Sequence, residues 1–139
     1  MAVVFASAER TQVVGTYNSD FGLVSPDERG AMFHLVISAV TSDPTLDIKF
    51  QYHDTVTDTW EDLKDWEGNT VSFAQKTGTG EDDLVIYPDI SERRAEADHP
   101  SATNRRYGIA VPKKLRCVAT VGDDSGDTIT FSLARVPLA

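Results

Sequence analysis

The sequence has a single cysteine, Cys117, among 139 residues and no apolar run approaching the length of a membrane helix. One cysteine excludes an internal disulfide, so the fold must depend on a hydrophobic core, which a chain of this length can build. Cys117 alternates with Leu115 and Ala119, and this pattern predicts a buried structural thiol. A membrane helix needs about 18 or more apolar residues. The mildly apolar stretch at residues 3–8 also lacks the positive region of a signal peptide.

Basic residues are scarce. The chain has 13 Lys and Arg against 22 Asp and Glu, which gives a net charge of −9. Such a surface repels phosphate backbones and anionic lipid heads, so neither nucleic acid nor a membrane surface is expected as a partner. A basic partner is favoured instead. We expect the chain to stay in the cytoplasm in which it is made, or to enter a particle assembled there.

Catalytic and metal-binding signatures are also missing. His34, His53 and His99 lie in separate segments, whereas a zinc site needs three or four convergent ligands. The glycine-rich residues 76–80 lack the Gly-Lys-Ser/Thr ending of a phosphate loop, and no Gly-x-Ser-x-Gly elbow occurs. The acidic turns at 81–83 and 123–127 lack EF-hand spacing and are typical of solvated hairpin tips. We therefore expect a non-enzymatic protein with no catalytic residue, metal or cofactor.

The clearest positive signal is a strand at residues 46–53. Leu46, Ile48, Phe50 and Tyr52 alternate with polar residues, which places one apolar face on a core. A turn-forming cluster at 54–59 and the large anchors Trp60, Leu63 and Trp66 follow, so this stretch predicts a hairpin. Residues 31–40 are apolar on both faces, which predicts a central strand buried on both sides. Residues 115–121 and 129–133 predict a second hairpin.

The chain thus predicts an all-β fold of about eight short strands with turn signals every 8 to 12 residues. This is the pattern of an antiparallel β-sandwich, jelly-roll-like, formed as one domain over residues 1–139. Residues 89–106 lack alternation and are predicted to form one long polar loop or arm. Loops of this length in compact domains are usually functional or disordered.

Two local patterns bear on function. Acidic residues crowd around Trp60 and Trp66, which also suits a carbohydrate-binding module, although inward-packed tryptophans on an acidic hairpin explain the same residues. Residues 43–67 hold eight acidic residues, whereas residues 93–116 hold seven of the 13 basic ones. Opposite charge at two ends suits contact between identical copies or with a charged assembly. Unpatterned solvated loops remain an equal alternative.

Several strings resemble one family. They are RGAMFHLVISAV at residues 29–40, DPTLDIKFQ at 43–51, WEDL at 60–63, LRCVATVG at 115–122 and TITFSL at 128–133. They look like small proteins encoded among the head genes of tailed bacteriophages, over roughly residues 29–66 and 115–133. The resemblance implies a capsid decoration or cement protein on the outer surface of the virion head. Its implied partners are the major capsid protein and further copies of itself, as a homotrimer.

On that basis we expect an interface of two kinds of residue. Arg93, Arg94, Arg105 and Arg106 are expected to form salt bridges with the capsid or with neighbouring subunits. Apolar contacts with neighbours are expected from Val3, Val4, Phe5, Val136 and Leu138. Two alternatives stay open: a head-completion or tail structural protein, and a carbohydrate-binding module that uses Trp60 or Trp66.

Overall fold

The computed structural model describes residues 2–11, 15–21, 30–65, 67–88, 103–109, 112 and 114–137. These residues contain no helix, and so none that could cross a membrane. They form nine strands: β1 (Ala2–Thr11), β2 (Thr16–Phe21), β3 (Ala31–Thr41), β4 (Thr45–Asp54), β5 (Thr59–Asp62), β6 (Gly80–Pro88), β7 (Arg105–Ile109), β8 (Leu115–Gly122) and β9 (Thr128–Pro137). The predicted all-β class is confirmed.

The strands form two packed sheets. The front sheet has the order β1-β9-β3-β6-β7 and the back sheet the order β2-β8-β4-β5. All neighbours are antiparallel except β6 and β7, which are parallel. The pairs β1–β9, β2–β8, β3–β6 and β4–β5 are those that arise when one long hairpin is rolled up on itself, which is the jelly-roll arrangement. The predicted antiparallel sandwich is confirmed, and β7 extends its front sheet.

The connections differ from the sequence prediction in one respect. The hairpin of β4 and β5 is present, but β8 and β9 do not form the predicted hairpin. Strand β8 lies in the back sheet and β9 in the front sheet, so the turn at 123–127 crosses the sandwich. The turn at 42–44 crosses in the same way between β3 and β4. Two consecutive strands can bury their apolar faces whether they lie in the same sheet or in opposite sheets, because both arrangements point those faces into the core.

One strand was not predicted, and another begins earlier than expected. Strand β1 escaped notice because its alternation is broken by register shifts between Val3 and Phe5 and between Phe5 and Ala8. Arg105 and Arg106, which were expected in the long polar loop, begin β7 instead. Residues 89–102 of that loop lie outside the described part of the chain.

The core lies between the inner faces of the sheets. Phe33 of the front sheet meets Phe50 of the back sheet edge to face, with ring centroids 4.7 Å apart, a geometry that aromatic pairs prefer. Cys117 is fully buried, and burial raises the pKa of its thiol well above the usual range. The structural thiol expected from the sequence is confirmed.

A bulge in β1 is held by Arg10, which is only 8% exposed. Its guanidinium donates to the carbonyls of Ala6 at 2.8 Å, Ala8 at 3.1 Å and Phe131 at 2.8 Å. It also lies 4.2 Å from the centroid of the Phe131 ring. A bulge locally disrupts the hydrogen-bonded ladder, and this one cation donates to three carbonyls around it.

Polar contacts join the two sheets beside β7. Arg105 donates from Nη1 to the carbonyl of Ser72 at 3.0 Å, and the Tyr107 hydroxyl donates to the same carbonyl at 3.2 Å. Ser72 belongs to residues 70–76, which bond along β4, as in the 2.9 Å bond from Phe73 N to the Ile48 carbonyl. The core is therefore closed on this side by hydrogen-bonded backbone.

Candidate interaction surface

The front sheet turns one face to the core and the other away from it. On the outward face, cross-strand register places Val136 beside Met32, Met32 beside Val85, and Val85 beside Arg106. The next row runs through Val3, Ala134, His34 and Asp83. Residues paired across strands point to the same face. This outward face therefore gathers side chains from both ends of the chain.

We call the apolar part of this face the outer patch. It consists of Val3, Met32, Val36, Val85, Ala134 and Val136. Val3 is 68% exposed, and the other members are half-buried. Four strands at about 4.8 Å spacing and three rows about 6.8 Å apart give the whole outward face an area of about 400 Å². The outer patch occupies about half of it, because His34, Glu81 and Asp83 lie in the same rows. Soluble monomers rarely expose contiguous apolar patches larger than a few hundred Å², and such patches are often functional.

The outer patch corrects the prediction for residues 31–40. That strand was expected to be buried on both faces, but Met32, His34 and Val36 are each partly exposed. Among the described residues, only the back sheet packs against β3, and it covers the opposite face. The apolar character of the second face therefore does not serve the core of this domain.

A charged cluster lies within this face. His34 hydrogen-bonds through Nδ1 to the Asp83 carboxylate, and its Nε2 lies 3.7 Å from Oε1 of Glu81. The hydrogen bond to Asp83 is the main reason that the pKa of His34 is raised above 6.5. Burial opposes this effect, and the charges of Asp83 and Glu81 make smaller contributions that raise the pKa further. The cluster therefore places one imidazole between two acidic side chains, an arrangement that favours its protonated form.

The structure places the predicted interface residues in three environments. Val3 and Val136 belong to the outer patch, and the exposed Arg106 borders it next to Val85. Val4 and Phe5 are 7% and 6% exposed and pack in the core of the domain itself. Arg105 is engaged with Ser72 between the sheets. Arg93, Arg94 and Leu138 lie outside the described residues.

The outward face of the back sheet is polar and internally paired. Asp62 accepts from Lys49 at 3.0 Å and from the Gln51 side chain at 2.8 Å, and these bonds, that from Gln51 first, lower the pKa of Asp62. Arg116 in turn donates to Gln51 at 2.8 Å. Most of the hydrogen-bonding capacity of these side chains is used within the domain.

Trp60 lies at the edge of this polar face. The Arg116 guanidinium is 4.5 Å from the centroid of its ring, and the Lys114 ammonium is 5.5 Å away. His53 meets the same ring edge to face at 5.3 Å. Trp60 is therefore a packed, cation-stacked ring rather than a bare platform. Trp66 lies outside the described residues.

A cleft of about 280 Å³ opens between Leu35, Ile37 and the loop at residues 75–82. Its main charged groups are Lys76 and the buried Asp82, whose Nζ and Oδ2 atoms are 2.7 Å apart. The other oxygen of Asp82 accepts from the backbone N–H groups of Asp83 and Asn104, both at 2.9 Å. These contacts anchor the loop to β6 and to the start of β7.

The acidic turn between β8 and β9 brings oxygens of Asp123, Asp124 and Asp127 within 4.8 Å of one another. Asp127 is 2% exposed and accepts from the backbone N–H of Asp124 at 2.9 Å. Together with the 3.0 Å backbone bond from Asp127 N to the Asp124 carbonyl, this bond closes the turn. The geometry agrees with the turn predicted at these residues.

Sequence reasoning missed Met32, Val85 and Ala134 as surface residues. For Met32, the available signal was the polar His34, which lies between Met32 and Val36 on the same face of the strand. A polar residue at such a position is unusual for a strand buried on both sides. Comparisons with family models, with curated proteins and with solved structures give no match to this chain. The function is therefore argued from the surface itself.

Proposed function

We propose that this chain is a non-enzymatic virion protein of a tailed bacteriophage, a capsid decoration or cement protein. It binds the outside of the head and stabilises it through contacts with the major capsid protein and with further copies of itself, as a homotrimer. The observation that carries the proposal is the outer patch. Val3, Val136 and Arg106 were expected at an interface from the sequence, and they lie on one open apolar face.

The build of the domain supports this role. Two packed sheets give a rigid platform, and the backbone of the outer patch lies within paired strands, so little conformational entropy is lost on docking. A face of about 400 Å² is about half of what each partner buries in a standard stable interface. Such a contact becomes effective when many copies bind a repeating lattice, where the linked copies share the cost of association.

The test uses empty heads of the phage or prophage whose genome encodes the chain. Wild-type protein and the double variant Val3→Asn/Met32→Gln are mixed with the heads, and occupancy is measured after sedimentation. Loss of about 1.5 kcal/mol of apolar contact predicts about tenfold weaker binding per site. The control is Val56→Asn, at an equally apolar position that is 91% exposed on the β4–β5 turn.

Failure of the wild-type protein to bind heads would overturn the proposal. Equal occupancy by the patch variant and the Val56→Asn control would remove the outer patch from it. Light scattering of the free protein adds a second criterion, since a trimer supports a decoration role. Rings of six subunits would favour the head-completion or tail alternative.

The carbohydrate-binding alternative has less support, because Arg116 and Lys114 both stack on Trp60. A sugar would have to displace at least one of these cations or use the remaining part of the ring. Tryptophan fluorescence during titration with glycans tests this alternative directly. A saturable shift that is abolished by Trp60→Ala would favour it over capsid binding.

A further inference from the structure

We infer that the partner surface that docks on the outer patch is apolar and carries a lysine or arginine opposite Glu81 and Asp83. This inference rests on the proposed function, since it describes the partner of the same face. It adds the charge of that partner surface and a pH dependence of binding by which docking can be recognised.

The first argument is the charge on the patch margin. The side chains of Glu81 and Asp83 are 68% and 37% exposed, and both lie on β6 against the apolar rows. Among the described residues, no lysine or arginine lies within 4.0 Å of either carboxylate. A partner that covers the patch removes water from these groups. Two carboxylates share the single imidazole of His34, so at least one negative charge stays uncompensated when the face is covered. Burying such a charge is strongly unfavourable, and a partner that brings a positive charge avoids this cost.

The second argument is the size of the patch, which separates a lattice partner from a second copy of the same face. Two such outward faces packed together as a single dimer would bury about 800 Å² in total, which is the upper range of crystal contacts rather than of stable dimers. A single dimer also lacks the repeated contacts that make a small interface effective on a lattice. It would also bring a second Glu81 and Asp83 into the contact, between chains that each carry a net charge of −9. A basic, apolar surface repeated on an assembly satisfies both constraints.

His34 is the group from which we expect the pH dependence of binding. The titratable groups that face it are Asp83 and Glu81 on β6. Its row neighbour on β9 is Ala134, and Arg106 lies beyond Val85 on β7. Once protonated, His34 acts as the counter-ion of both carboxylates and repels a cation from the partner.

The sign of the pH dependence follows from this competition. The docked state with a cationic partner holds fewer protons than the free state, because the partner charge disfavours the imidazolium. The affinity for the partner is therefore highest at pH values above the pKa of free His34, and it falls as the pH is lowered through that pKa. This pKa lies above 6.5. An apolar partner without a cation gives the opposite sign, since protonated His34 would then neutralise the carboxylates that docking buries.

The experiment measures binding of wild type, His34→Gln and His53→Gln to empty heads between about pH 8 and pH 5.5. His53 is a matched control, since it also pairs with an aspartate, Asp58, at 2.8 Å, but on the back sheet. We expect wild type and His53→Gln to bind at least about threefold more weakly at the acidic end, as loss of one exposed ion pair implies. His34→Gln should bind equally across the range.

A second pair of variants keeps the test independent of the imidazole. Glu81→Gln should weaken binding about threefold near pH 8, whereas Glu61→Gln, exposed on β5, should leave it unchanged. Wild-type binding that is flat or tighter in acid, or a His34→Gln variant that keeps the wild-type profile, overturns the inference. Absence of head binding at every pH overturns the proposed function instead, so the two failures are distinguishable.

Discussion

Arg10 offers the sharpest test of how the N-terminal strand is held in the fold. It is a buried cation whose acceptors are three backbone carbonyls, and burial lowers its pKa. Replacing it by methionine keeps the length and apolar stem but removes every donor. The Phe131 carbonyl is buried and would lose this donor, at about 1–3 kcal/mol. The carbonyls of Ala6 and Ala8 are part-buried, so water can replace part of the loss.

The contacts of Arg10 with aromatic rings make a second contribution to stability that the substitution removes. The guanidinium lies over the Phe131 ring at 4.2 Å and over the Phe5 ring at 5.2 Å, and a desolvated cation–π contact contributes about 1–2 kcal/mol. Removing the buried charge offsets part of this loss of stability, since the cation no longer has to be desolvated. We expect Arg10→Met to lower the free energy of unfolding by about 3 kcal/mol.

Urea unfolding followed by tryptophan fluorescence measures this change. The matched control is Arg106→Met, which removes an exposed arginine from the same sheet and should alter stability by no more than about 0.5 kcal/mol. Arg10→Lys keeps the charge but lacks the planar fork, so it should fall between wild type and Arg10→Met. If Arg10→Met unfolds with the stability of the Arg106→Met control, the bulge does not depend on this side chain and the reasoning is refuted.

Two further predictions concern buried groups. Lys76→Met leaves the Asp82 side chain, which is 2% exposed, without its counter-ion. It should lose about 3–5 kcal/mol in urea unfolding, with much of the loss restored in Lys76→Met/Asp82→Asn; a loss below about 1 kcal/mol would contradict the ion-pair argument. Cys117 should not react with a thiol reagent such as DTNB in the native protein and should react fully in guanidinium chloride. Rapid native labelling would mean that the core around it opens.

Strand positions were predictable because alternation is a local property of the chain. β4 is the best case, since Leu46, Ile48 and Phe50 are each no more than 1% exposed while their polar neighbours face outwards. The pairing of strands was less predictable. Short turns suggested a hairpin for β8 and β9, yet the 123–127 turn joins two sheets. Both choices bury the same residues, so the pattern alone does not distinguish them.

The candidate interaction surface was predictable only in part, and for a related reason. Val3 and Val136 were named because they are apolar residues near the ends of the chain, and the β1–β9 pairing brings those ends together. Met32 and Val85 belong to apolar runs that predict burial. Whether the outward side of such a run is covered depends on a layer that the sequence pattern does not reveal. Val4 and Phe5 show the converse, because the bulge beside them directs both into the core.

The contrast between the two outward faces determines where binding energy is available. On the back sheet, Asp62, Gln51 and Arg116 satisfy one another, so a partner would have to break these bonds to make its own. On the front sheet, the outer patch occupies about half of an outward face of about 400 Å², which gives about 5 kcal/mol of gross hydrophobic stabilisation. Association costs about 4–15 kcal/mol, which leaves a single contact marginal. Stable binding at this face therefore requires a partner that adds ionic contacts or that binds many copies at once.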